Sequence, residues 1–257
     1  MATARPRILY IVKNYPQLSQ TYIKTEIKAL RDAYDIHIVA LSSPNVPDPD
    51  HHPFRTIADP EGLVAAVREI RPAILHSHYL VFTELLTAVA EATGTPFTVR
   101  SHSFDTIVTA DAVPQHLREA GTCLRSELCL AVLCFPFVRD TLASAGVPAE
   151  KLVAAPPVVD FDLFYDASPN TGGVMNVGAG IPKKKMEDFI ELGRRVPEMP
   201  FDLYAIGHEW ARLVDLNERS GRPIRIHEPL PFHEMPRRYK EHRWLAYTAC
   251  PLTKTVG

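Results

Sequence analysis

Along most of its 257 residues the chain alternates short runs rich in β-branched and aromatic residues with stretches that carry helical spacing. That is the pattern of parallel βαβ units, and it limits the fold more than any other feature. The candidate strands are residues 7–12 ("RILYIV"), 36–41 ("IHIVAL"), 73–76, 96–100, 128–133 and 151–155. Helices are expected between them at 20–32, 60–70, 82–93, 113–120 and 136–145. In the first of these, Ile23, Ile27 and Leu30 fall at i, i+4 and i+7, one face of a helix. The first half therefore reads as a complete, doubly wound, Rossmann-like α/β domain.

Residues 156–172, "PPVVDFDLFYDASPNTG", interrupt the alternation with prolines and acidic residues and mark an interdomain linker. A second series follows: strands at 173–178, 201–206, 223–226 and 243–247, with helices at 185–195, 208–219 and 233–240. The organisation expected is an N-terminal Rossmann-like domain over 1–165 and a partial second Rossmann-like domain over 166–257. A doubly wound domain usually needs about 100–150 residues, so the second domain is expected to be cut short. An exposed sheet edge near 243–247, and oligomerisation through it, follow from that expectation.

Apolar residues make up 46% of the chain, charged residues 23%, and the formal charge is −2. This balance argues against an extended nucleic-acid or membrane-surface role and directs attention to local sites. "MATARPRILYIV" is too short in its apolar run for a signal segment or a membrane span. A cytoplasmic protein is expected, with no transmembrane segment and room only for peripheral membrane contact. Cys123, Cys129, Cys134 and Cys250 form no CxxC pair and have no histidine at ligand spacing, so reduced, buried thiols are expected and no metal site is signalled.

Three stretches could carry chemistry. In "KNYPQLSQTYIKTEI" (13–27), Ser19, Gln20 and Thr21 sit where a strand has turned into a helix. In open parallel sheets ligands bind beyond the strand C-termini, where a helix N-terminus offers free N–H groups. These residues would face a phosphate or sugar; alternatively Ser19 or Thr21 simply caps the helix. In "ILHSHYL" and "TVRSHSFD", His76, His78, Arg100, His102 and Asp105 gather at two strand ends, where an active site of this architecture belongs. A lone histidine there is commonly structural; several on adjacent strand ends point more strongly to a site. In "VGAGIPKKKMEDFI", Gly178 closes a strand and Lys183 and Lys184 precede a helix, a plausible diphosphate clamp or else a solvated lysine run. This is neither GxGxxG nor a P-loop.

Taken in order, these segments resemble the GT-B glycosyltransferases, in particular the retaining, nucleotide-sugar-dependent glycosyltransferase family four. "YPQLSQTYIKTEIKALRD" is similar to that family's "FPxxSETFIxxEIxxLxxxG", "ILHSHYL" to its "hiHaH" strand and "TVRSHSFDT" to its "T.HGhD". "LVAAPPVVDFDLF" resembles the segment that ends its first domain, and "VMNVGAGIPKKKMEDFI" its "ilfVGRLvpkKGvdvLI". Several positions depart from the pattern: Gln20 stands for Glu, Ala179 for the diphosphate-binding Arg, Lys185 for the Gly after the motif lysine at Lys184, and Lys254 or Thr255 for the first Glu of the "E.G.......E" element.

The resemblance implies transfer of a sugar from a nucleoside diphosphate sugar to an acceptor, with retention of configuration and without cofactor or metal. Positive side chains and a helix N-terminus would stabilise the departing diphosphate. Lys184 would do so by charge with Lys183 and Gly178 beside it, His102 would contact the reacting sugar, and Ser19, Gln20, Thr21, His78 and Asp105 would line the substrate side. Ala179 and Lys254 support an alternative, a non-catalytic GT-B-like protein that binds a sugar nucleotide or a partner without turnover. A sugar-nucleotide epimerase would need acidic residues that the matching positions lack.

Overall fold

The computed structural model describes residues 5–44, 48–102, 105 and 114–249. The chain divides into two compact units, the first running essentially to Val159 and the second from Asp160. The first unit contains β1 (Arg7–Asn14), α1 (Thr21–Leu30), β2 (Asp35–Ser42), β3 (Arg55–Thr56), α2 (Pro60–Ile70), β4 (Ile74–His78), α3 (Thr83–Thr93), β5 (Phe97–Arg100), α4 (Gln115–Cys123), β6 (Cys129–Cys134), α5 (Arg139–Ser144) and β7 (Leu152–Ala154). Its sheet is parallel throughout, in the order β3-β2-β1-β4-β5-β6-β7. The direction of winding reverses between β1 and β4, and ligands of open α/β sheets bind beyond the strand ends at such a switch point.

Burial explains the continuous apolar run of β1. Ile8, Tyr10 and Val12 pack with Ile23 and Ile27 of α1 on one face, while Leu9 and Ile11 join α2 and α3 on the other. Both faces are covered, so the run from Ile8 to Val12 is buried throughout, and only the strand ends, at Arg7 and Lys13, reach solvent. Helix α2 is started by Asp59, whose carboxylate accepts from the Gly62 N–H at 2.6 Å, with Pro60 at the first helical position where no N–H is needed. Gly121 lets α4 approach α5: a Cβ there would lie 2.1 Å from the Ala145 carbonyl oxygen.

The second unit contains α6 (Phe161–Phe164), β8 (Val174–Ala179), α7 (Met186–Arg195), β9 (Phe201–Ile206), α8 (Trp210–Arg219), β10 (Arg225–His227), α9 (Met235–Lys240) and β11 (Trp244–Leu245). Its parallel sheet has the order β10-β9-β8-β11, again with the first strand inside. Met186, Phe189 and Ile190 of α7 pack on Leu203, Ala205 and Leu213. Buried Asp202 ties β9 to its surroundings through Arg225 at 2.6 Å, His227 at 2.5 Å and His242 at 3.0 Å. Burial pushes its carboxyl up, but these three partners outweigh that and leave it below the usual range. Among the described residues β11 is an edge strand, with Trp244 and Leu245 both more than half exposed.

Most elements expected from the sequence form within a few residues of their expected limits. Two were not anticipated: β3, an exposed two-residue strand too short for any periodicity, and α6, a single turn begun by Asp160 inside the expected linker. The helix expected over 136–145 begins instead as a 3-10 turn, Pro136–Val138, and becomes α-helical only over Arg139–Ser144. Cys123, Cys129 and Cys134 are free thiols; Cys250, Lys254 and Thr255 lie outside the described residues.

Candidate functional site

Strands β4 and β5 run side by side with His78 opposite Arg100. Leu75 of β4 belongs to the α2–α3 core, whereas His76 and His78 meet aromatic and charged groups carried by β1, α1 and β5. Here the apolar packing under α1 gives way to a buried polar network centred on Glu26. Tyr10 donates its hydroxyl to Glu26 Oε1 at 2.9 Å, and Arg100 places Nε and Nη2 each 2.9 Å from Oε2. His76 Nε2 lies 3.2 Å and His78 Nε2 3.8 Å from Oε1. On their outer sides, His76 Nδ1 meets Thr98 Oγ1 at 2.8 Å and His78 Nδ1 meets His102 Nε2 at 2.9 Å.

The electrostatics follow from depth. Burial would raise the Glu26 carboxyl, but His76, His78 and Arg100 outweigh it and hold the group well below the usual carboxylate range. Burial, then the Arg100 charge, lowers His102 to about 3, and burial drives His78 well down too, so both imidazoles are neutral near pH 7. His102 is enclosed by aromatic rings, with centroids of Tyr22 at 4.6 Å and Tyr79 at 4.5 Å, and those two tyrosines hydrogen-bond to each other. Asp105 accepts from the His102 N–H at 2.8 Å. Its carboxyl is raised to about 7 by burial, against the downward pull of backbone amides at His102, Leu80 and Val81.

His76, His78, Arg100, His102 and Asp105 are thus brought together, and His78, 1% exposed, lies inside the protein with its Nδ1 on His102. Glu26 and Tyr10, the anchors of the network, went unnoticed in the sequence. Of the opening stretch, neither Ser19 nor Thr21 caps α1: the N-cap is Gln20, which makes no side-chain capping bond. Gln20 is buried with its Oε1 unpartnered, while Ser19 is exposed. Among the described residues Glu26, His76 and His78 also form a set whose donor atoms all lie within 4.8 Å of one another, close enough to hold a metal ion.

In the second unit, β8 ends at Gly178, φ +157°, and Ala179, and the chain passes through a 3-10 turn, Pro182–Lys184, into α7. Lys185 takes a left-handed conformation, φ +45°, and its side chain does not cap the helix; the Asp188 N–H is bonded to the Lys185 carbonyl at 3.0 Å, and Glu187 and Asp188 place acidic side chains in the first turn. Burial, then the neighbouring Lys184 charge, lowers the Lys183 ammonium. Lys184 Nζ sits 4.5 Å over the ring of Tyr247 and donates to its hydroxyl. The Lys184–Tyr247 pairing has no signal in the spacing of the sequence.

Two parallel, doubly wound sheets in succession are the GT-B glycosyltransferase architecture, and that is the fold of this chain. Its solved neighbours include HepE from Anabaena in complex with UDP-glucose, with a TM-score of 0.73 at 14% identity over 95% of this chain and 74% of that one. Sucrose-phosphate synthase from Thermosynechococcus elongatus matches with a TM-score of 0.69 at 16% identity, covering 96% of this chain and 77% of its own. UDP-N-acetylglucosamine 2-epimerase from Rickettsia bellii matches at 0.62 and 11% identity, over 94% and 73%. No family model and no curated protein sequence matches the chain.

Proposed function

We propose that this chain serves sugar transfer from a nucleoside diphosphate sugar to an acceptor, as a retaining glycosyltransferase of the family-four type that uses no cofactor or metal in the transfer step. The observation that carries the reading is the turn after β8, where Lys183 and Lys184 stand beside an uncapped helix N-terminus. Fixed positive charge and free N–H groups are what a departing diphosphate requires. In the first unit His102, a neutral imidazole held from behind by His78 and from its backbone by Asp105, would contact the sugar. Neighbours of this fold solved with UDP and UDP-glucose support the choice of ligand class.

A second reading, binding without turnover, is favoured by Ala179 at the place of an arginine and by the engagement of Lys184 with Tyr247. Calorimetry with UDP, GDP and ADP sugars tests both. Donor binding is expected, and Lys184→Ala should weaken it by roughly tenfold to a hundredfold, the worth of one charge-assisted hydrogen bond. Absence of affinity for every common donor would refute both readings. Binding with no transfer to any acceptor, or to water, would leave the second. If product forms, its anomeric configuration by NMR decides retention.

A further inference from the structure

We propose that Glu26, His76 and His78 bind a single divalent cation of the zinc class, as a structural site inside the first unit. Three observations carry this. First, the three donor atoms lie within 4.8 Å of one another, and the two carboxylate–imidazole separations are near those of a shared ion. Zinc holds imidazole nitrogen and carboxylate oxygen at about 2.0–2.2 Å, which in a tetrahedral site sets neighbouring donors roughly 3.4 Å apart. Glu26 Oε1 lies 3.2 Å from His76 Nε2 and 3.8 Å from His78 Nε2, on either side of that value.

Second, the two nitrogens converge on one oxygen: both Nε2 atoms are buried without a well-formed hydrogen bond, and the neighbour that the structure gives each is the Glu26 Oε1 charge, at 3.2 Å and 3.8 Å. Buried polar atoms are nearly always partnered, so two orphans converging on one carboxylate oxygen indicate a missing third party. Side-chain exposures of 6% at His76 and 1% at His78 keep bulk water away, so the fourth position of a tetrahedral ion would fall to an enclosed water.

Third, the outer contacts are those of metal ligands. A ligating histidine donates its other ring N–H to a fixed acceptor, which selects the tautomer and aims the free lone pair at the ion. His76 Nδ1 has Thr98 Oγ1 at 2.8 Å, and His78 Nδ1 has His102 Nε2 at 2.9 Å. The carboxylate is held likewise, by the Tyr10 hydroxyl on Oε1 and by Arg100 on Oε2. Two imidazoles and one carboxylate suit zinc, cobalt or nickel ions better than magnesium or calcium. The ion would tie α1 to β4 beneath the strand ends and take no part in sugar transfer, so the proposal stands apart from the function above.

Because the site is closed, the ion should enter during folding. Protein stripped by chelator in denaturant is refolded with and without zinc, freed of unbound metal by gel filtration, and measured by elemental analysis, thermal melting and X-ray absorption. Stoichiometric retained zinc, a raised melting temperature, and a nitrogen/oxygen shell with two imidazoles are expected. His76→Gln and His78→Gln should lower retention by roughly tenfold or more, while the exposed-site variants His51→Gln and His208→Gln should not. No retained zinc in the wild type, sulfur in the shell, an imidazole count other than two, or retention indifferent to His76 and His78 would overturn the site. If the buried variants fail to fold, the absorption spectrum of the wild type decides.

Discussion

Replacing Glu26 by glutamine keeps the volume of the side chain and removes its charge. Arg100, itself only 5% exposed, would then keep its guanidinium at depth with no carboxylate to meet Nε and Nη2. Breaking a buried pair by neutralising one partner costs about 3–5 kcal/mol, because the survivor is left uncompensated. At roughly 2–4 °C per kcal/mol for a unit of this size, the midpoint of the first unit should fall by about 6–20 °C. Arg100→Met should cost a similar amount by stranding the carboxylate. The double variant removes both charges, and it should be more stable than the sum of the singles predicts by about 2–3 kcal/mol.

The assay can separate the two units. Both tryptophans, Trp210 and Trp244, belong to the second, so tryptophan emission follows that unit while far-ultraviolet circular dichroism follows both. Measured on protein stripped of metal by chelator in denaturant and refolded without it, the loss should appear in the dichroism transition and not in the emission one. A cost below about 1 kcal/mol for Glu26→Gln, or strict additivity in the double variant, would refute the reasoning that the pair is desolvated and mutually dependent.

Two further predictions concern the same unit. Asp105 titrates at about 7 when folded against an ordinary value of 3.8, so the folded state holds its proton more tightly. Its stabilising contribution is complete below pH ~4 and is lost as pH rises through ~7, and Asp105→Asn should flatten that decline in pH-dependent urea titrations. Gly121→Ala would press a methyl group toward the Ala145 carbonyl at 2.1 Å, and should cost about 1–3 kcal/mol by the same denaturation. A neutral result would mean that α4 shifts freely against α5.

Much of the fold was legible in the sequence because both sheets are parallel and covered, which writes their strands as apolar runs and their helices as spaced stripes. The gathering of His76, His78, Arg100 and His102 followed from a topological rule about strand ends. Glu26 was not legible, although it lies between Ile23 and Ile27, whose burial was expected. A glutamate on an amphipathic helix normally faces water, and nothing local marks one that turns inward. Only the pairing of β4 with β5 shows that an arginine and two histidines wait for it. Tyr247 was hidden for the same reason, since its contact with Lys184 depends on the placement of β11 beside β8.

The Glu26–Arg100 pair constrains how sequences of this kind can drift. Either residue changed alone passes through a chain with a stranded charge, whereas both changed together need not. Substitution at one position should therefore be accompanied by substitution at the other, with Tyr10, which donates to the same carboxylate, free to follow later. In related chains the two positions should be inherited as a unit, present together or absent together, even where the surface around them has diverged.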